Sequence, residues 1–120
     1  MPTTTILPFC EIIFSQNYMI ATVNTGVSMT KENSKVLNEL ALDHFKDRYF
    51  VYISNRINSY SVDPNVYSIY SKNIKGYAVV SNNEIAIASA NFESNFTEIP
   101  FEVFSTIEKA VSWTDKILNV

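Results

Sequence analysis

Cysteine and histidine occur once each in 120 residues, and arginine occurs only at positions 48 and 56. One cysteine cannot make an internal disulfide, and one Cys with one His cannot assemble a zinc ligand set. Cys10 lies in the apolar run 9–14, where a small buried hydrophobe is expected rather than a reactive thiol. His44 falls on the apolar stripe of a predicted helix close to its end. A ring there is expected to bond a nearby carbonyl or favour the helix terminus, not to serve as a catalytic base. Basic clusters are missing as well. Nine Lys and Arg stand against twelve Asp and Glu, a net charge of -3, which argues against a nucleic-acid partner. No Lys or Arg precedes Lys31, so no basic export region is read at the start. The longest uncharged stretch, 12–30, is interrupted by Ser15, Gln16, Asn17, Asn24 and Gly26, which rules it out as a membrane span. The expectation is a soluble cytoplasmic protein that needs no cofactor and carries no catalytic centre.

What the chain has is a recurring order of apolar run, cap and helix. With 47% apolar residues it is large enough for one core that buries roughly two thirds of the unfolded surface. Residues 1–8, bracketed by Pro2 and Pro8, are expected to form a surface arm, and 9–120 the domain. Runs 9–14 and 18–23 predict a β-hairpin across Ser15-Gln16-Asn17. Thr30 is expected to cap a helix to about Lys46, with Val36, Leu37, Leu40 and Ala41 on one stripe. A strand over 49–53 follows, then a polar loop over 54–62, then a short helix begun by Asp63-Pro64. A fourth strand spans 74–80. Ser81 with Glu84, and Ser105 with Glu108, have the spacing of capping boxes and predict two further helices around a strand over 100–104. In the first of these helices Ile85, Ala88, Phe92 and Phe96 share one face, taken as the buried one. The sum is an α/β domain with a five-stranded mixed sheet, an antiparallel hairpin at one edge, mostly parallel strands elsewhere and about four helices.

Several segments carry a resemblance: Gly26-x-x-x-Thr30 entering the first helix, Tyr49-Phe50-Val51-Tyr52-Ile53, Ala78-Val79-Val80-Ser81, and Phe101-x-x-Phe104-Ser105-Thr106-x-x-x-Ala110-x-x-Trp113. In this order the chain resembles the STAS-type fold of anti-sigma-factor antagonists, and more closely the bacterial SpoIIAA-like family of small stand-alone domains. The resemblance implies a regulatory module that binds a protein or a small ligand without chemistry. It also implies an alternative, since the fold is similar to CRAL-TRIO domains that carry lipid-like molecules, held here between the sheet and a movable helix. The antagonists carry an Asp-Ser-Ser-Gly turn with a phosphorylated serine. The matching run is Ser54-Asn55-Arg56-Ile57, without the acid or the glycine, so the carry-over reaches Ser54 alone as phosphoacceptor.

The residues themselves nominate the same loop. Arg56 is the sole charge between Arg48 and Asp63, set among Ser54, Asn55, Asn58, Ser59, Tyr60 and Ser61 at the C-terminal end of a predicted strand. The N–H groups of the following helix and a guanidinium beside them would suit an anion, with Arg56 as charged anchor and Tyr60 as apolar anchor of an exposed surface. Tyr67, Tyr70 and Trp113 are candidate pocket aromatics, each with an apolar body and a polar tip. Identity of the ligand or protein partner, and oligomeric state, have no signature in the chain.

Overall fold

In the computed structural model, residues 2–58, 60–68 and 72–120 are described. The sheet begins earlier than expected. β1 (Thr3–Ile6) lies inside the supposed arm and pairs antiparallel with β2 (Cys10–Phe14), which pairs antiparallel with β3 (Tyr18–Val23). Three threonines and an isoleucine favour extended backbone, and the two prolines fall outside the strand, where the missing N–H groups cost no ladder bond. β3 then pairs parallel with β5 (Phe50–Asn55), β5 with β7 (Ile74–Val80) and β7 with β8 (Phe101–Phe104). Among the described residues the main sheet therefore has six strands, in the order β1-β2-β3-β5-β7-β8. β4 (Ser28–Met29) and β6 (Ser61–Val62) form a separate parallel pair, and Gly26 makes the turn before β4 at φ +82°.

The described residues contain three α-helices: α1 (Lys31–Phe45), α2 (Glu84–Glu93) and α3 (Ile107–Leu118). The helix expected after Asp63 is a five-residue 3-10 turn, Pro64–Ser68. Thr30 caps α1 as expected, accepting from Asn33 N–H. The other two caps are displaced from the serines. Ser81, just past β7, still donates its N–H to Phe104 O at 3.0 Å, and α2 begins only at Glu84. Asn83 caps it instead, Oδ1 accepting from Ile85 and Ala86 N–H. Thr106, one residue past Ser105, caps α3 by accepting from Lys109 N–H.

Parallel strands added in one direction place their crossovers on one face when each connection follows the right-handed rule. That face holds α1, packed through Leu37, Ala41 and Phe45 on Ile12, Phe14, Met19, Phe50 and Tyr52. The C-terminal α3 covers the opposite face, where Ala110, Val111, Trp113 and Ile117 meet Val51, Ile53, Ala78 and Val80. Residues alternate strictly along β5, Phe50 and Tyr52 to one core and Val51 and Ile53 to the other, as a strand buried on both sides requires.

Helix α2 departs most from expectation. Ile85, Phe92 and Phe96 do share a face, but it is the solvent face: they are 81%, 58% and 45% exposed. The fully buried positions are Ala90 and Glu93.

Candidate functional site

β5 ends at Asn55, and the next residue, Arg56, still donates its N–H to Val80 O at 2.9 Å. Its side chain is thereby aimed over the C-terminal ends of the parallel strands, the position where α/β sheets place binding sites. The expected exposed anchor is in fact buried, with Arg56 8% exposed. The anion it binds belongs to the chain itself. Arg56 Nη1 donates to Glu93 Oε2 and Nη2 to Oε1, both at 2.6 Å, a bidentate fork. Glu93, 1% exposed, also accepts from the Tyr67 hydroxyl at 2.6 Å and from the Ser89 hydroxyl at 3.1 Å.

The guanidinium is held from its other side as well. Nε donates to Ser54 Oγ at 3.2 Å, Ser54 Oγ pairs with the Tyr60 hydroxyl at 2.9 Å, and Cζ lies 5.7 Å from the Tyr60 ring centroid. Burial works against the charged guanidinium, but the hydrogen bonds and charge of Glu93 outweigh it, so Arg56 holds its proton more firmly than usual. Burial also raises the Tyr60 hydroxyl above its ordinary pKa, against the opposing effect of Arg56.

Beneath this network is a small cavity of about 20 Å³, room for roughly one water, walled by Val23, Met29, Tyr52, Val62, Val66 and Tyr77 with Ser54 and Arg56 at its polar end. On its other side Arg56 lines an open cleft of about 380 Å³ between Ile57, Asn58, Tyr60, Ser61 and Val62 and the first turns of α2. The guanidinium thus stands between an outer cleft and an apolar interior.

The remaining predicted site residues divide. Asn55 and Asn58 tie the loop to β3, donating from Nδ2 to Thr22 Oγ1 at 3.3 Å and to Val23 O at 3.0 Å. Ser61 is an exposed β6 residue whose hydroxyl donates to Ser28 Oγ at 3.2 Å. Ser54, the expected phosphoacceptor, is buried with its hydroxyl held on two sides, by Tyr60 and Arg56. Tyr67 joins the network. Trp113 does not: it lies on the opposite face against Phe104, ring centroids 5.5 Å apart, because α3 covers that face. Ser59 and Tyr70 lie outside the described residues. At the 3-10 turn the Asn65 N–H, expected to be free for an anion, donates to Asp63 Oδ1 at 3.0 Å. Glu93 was missed in the sequence because it is 37 residues from Arg56. Its only local signal is the 4,3 spacing of Ala86, Ala90 and Glu93, a face of small residues that lets a helix approach closely.

The two residues set aside as structural are accounted for. His44 Nε2 is 2.9 Å from Ser15 O, and its ring stacks on Phe14 at 4.8 Å. Cys10 is buried, and burial pushes its thiol up to about 11. Among the described residues no group of three or more His, Cys, Asp or Glu side chains could hold a metal, and no helix is long and apolar enough to cross a membrane.

Among solved structures, the chain is similar to an uncharacterised protein of the DUF3478 family with a SpoIIAA-like fold from Shewanella loihica PV-4. The TM-score is 0.61 at 17% identity, over 95% of each chain. The fold is therefore SpoIIAA-like, as the sequence resemblance implied; at this identity the likeness speaks to fold alone. No family model matches the chain, and no curated protein sequence matches it.

Proposed function

We propose that this protein is a non-catalytic binding module of the reducing cytoplasm that takes a small, partly apolar ligand into the space behind Arg56. One observation carries the reading: an apolar cavity at the strand ends has Arg56 at its edge, and the helix whose Glu93 holds Arg56 is poorly anchored. α2 turns Ile85 and Phe92 to water and meets the body through Ala90 and Glu93. An ordinary surface helix does the reverse. A helix fastened at one polar point is suited to move aside, and this supports the carrier use of the fold over a rigid scaffold. The non-catalytic part of the reading rests on chemistry: His44 and Cys10, the usual nucleophile and base types, are both committed to packing.

Organic extraction of the purified protein followed by mass spectrometry tests the proposal. A stoichiometric small molecule, or a thermal shift on adding single-chain amphiphiles, is the expected result; absence of both overturns it. A second reading, regulation through a protein partner, is supported by the apolar face of Ile85, Phe92 and Phe96. It predicts a partner whose binding is lost in Phe92→Ser with the amphiphile response intact.

A further inference from the structure

Resting on that reading, we propose that the Glu93 carboxylate occupies the seat of the ligand's own acid group: the ligand is an amphiphile bearing a single carboxylate, and uptake exchanges that carboxylate for Glu93 on Arg56, releasing α2.

The receptor for a carboxylate is complete without α2. Arg56 follows β5, Ser54 is in β5, Tyr60 is in the following loop and Tyr67 is in the 3-10 turn, while α2 contributes only Glu93 and Ser89. Ser54 and Tyr60 keep the guanidinium plane fixed from the side away from Glu93, so the fork stays aimed when α2 leaves. Two planar oxygens at 2.6 Å, with a third donor on one of them from Tyr67, form a pattern that any carboxylate reproduces.

Charge decides between acid groups. One guanidinium neutralises one negative charge, so a carboxylate can replace Glu93 with no change in buried charge. A phosphate monoester would bring a second charge that nothing in the network balances. The tail has its place too, because Arg56 borders the cavity walled by Val23, Met29, Val62 and Val66. That cavity holds about 20 Å³ and none of its walls belongs to α2, so a tail enters only as residues of the strand ends and the 3-10 turn give way. An internal carboxylate in the seat also spares the protein an unpaired buried arginine while it is empty.

The test is titration of the full chain, below micelle concentrations, with dodecanoate, dodecanol and dodecyl phosphate, followed by native mass spectrometry. Wild type should favour dodecanoate over the other two by about tenfold or more, the value of one charge-assisted bidentate pair. Glu93→Gln, which keeps the shape but yields the seat more readily, should bind dodecanoate more tightly. Hydrogen exchange in α2 should quicken when dodecanoate binds. Equal binding of acid and alcohol in both proteins overturns the exchange while leaving the cavity as a ligand site. Dodecyl phosphate binding as well as the acid overturns the charge argument. No binding of any amphiphile to either protein overturns the ligand-site reading itself. Should Glu93→Gln fail to fold, Arg56→Met/Glu93→Leu removes both charges; it should bind dodecanol and lose the preference for acid, and a retained preference overturns the proposal.

Discussion

Gly76 in β7 faces the Trp113 ring so closely that a Cβ there would lie 2.8 Å from Cη2 of the indole and 3.3 Å from Ile117 Cδ1. Close approach of α3, more than backbone freedom, requires glycine at this position. Gly76→Ala should push the ring and α3 outward, lowering stability by about 1–2 kcal/mol and shifting the fluorescence of the single tryptophan. A melt and an emission spectrum check both, and an unchanged spectrum would mean that the ring has room to move. Cys10 gives a prediction of another kind. Its thiol is raised to about 11 from the ordinary 9.0 by burial, so between those values the unfolded chain loses its proton before the native one does. Native stability should therefore fall as pH climbs from 9 toward 11, the sign expected of an acid whose folded pKa is raised. At pH 8 the native thiol should react with a disulfide reagent far more slowly than the same thiol in denaturant. Rapid labelling of the native protein would show that β2 opens locally.

At the scale of elements, the caps set the helix starts, and two of them stand beside the residues that the spacing picks out. Asn83→Ala and Thr106→Ala should each cost about 1 kcal/mol, whereas Ser105→Ala should cost a few tenths at most. Chemical denaturation ranks them, and a larger loss at Ser105 would put the start of α3 one residue earlier. The displacement has a physical origin. Hydrophobic runs locate β5 and β7 well because those strands are buried on both faces, but the last ladder bond, from Ser81 N–H to Phe104 O of the edge strand β8, is a tertiary contact that no local spacing contains. β1 was illegible for a related reason: four β-favouring residues become a strand only because β2 offers an edge. The periodicity correctly placed Ile85 and Phe92 of α2 together with Phe96 just beyond it, yet period says which residues share a face and not whether that face meets the core. The loop at 54–62 stands out in the sequence by its isolated arginine. Its burial was not legible, since the carboxylate that makes burial tolerable arrives from another element.

Over the whole molecule, one face of the sheet is sealed by α3 through apolar contacts, and the other is shared by α1, the 3-10 turn and α2, the last anchored by a buried ion pair. Such a pair is a poor source of net stability, because desolvating both ions offsets most of their attraction, whereas leaving one ion alone is costly. The two single replacements should therefore differ. Glu93→Leu strands a guanidinium that cannot shed its charge, and it should cost about 3–5 kcal/mol. Arg56→Met leaves a carboxyl group that can neutralise itself with a proton and keep its bonds to Tyr67 and Ser89, so its cost should be smaller. Arg56→Met/Glu93→Leu, with neither charge to bury, should return to within about 1 kcal/mol of wild type or exceed it. The double-mutant cycle is measured by denaturant unfolding of all four proteins. Recovery in the double variant would separate the pair's role from holding the fold together and leave the docking of α2 as what it governs. A double variant as unstable as Glu93→Leu would instead make the ion pair a structural tie between α2 and the strand ends, with a geometry that apolar side chains cannot replace.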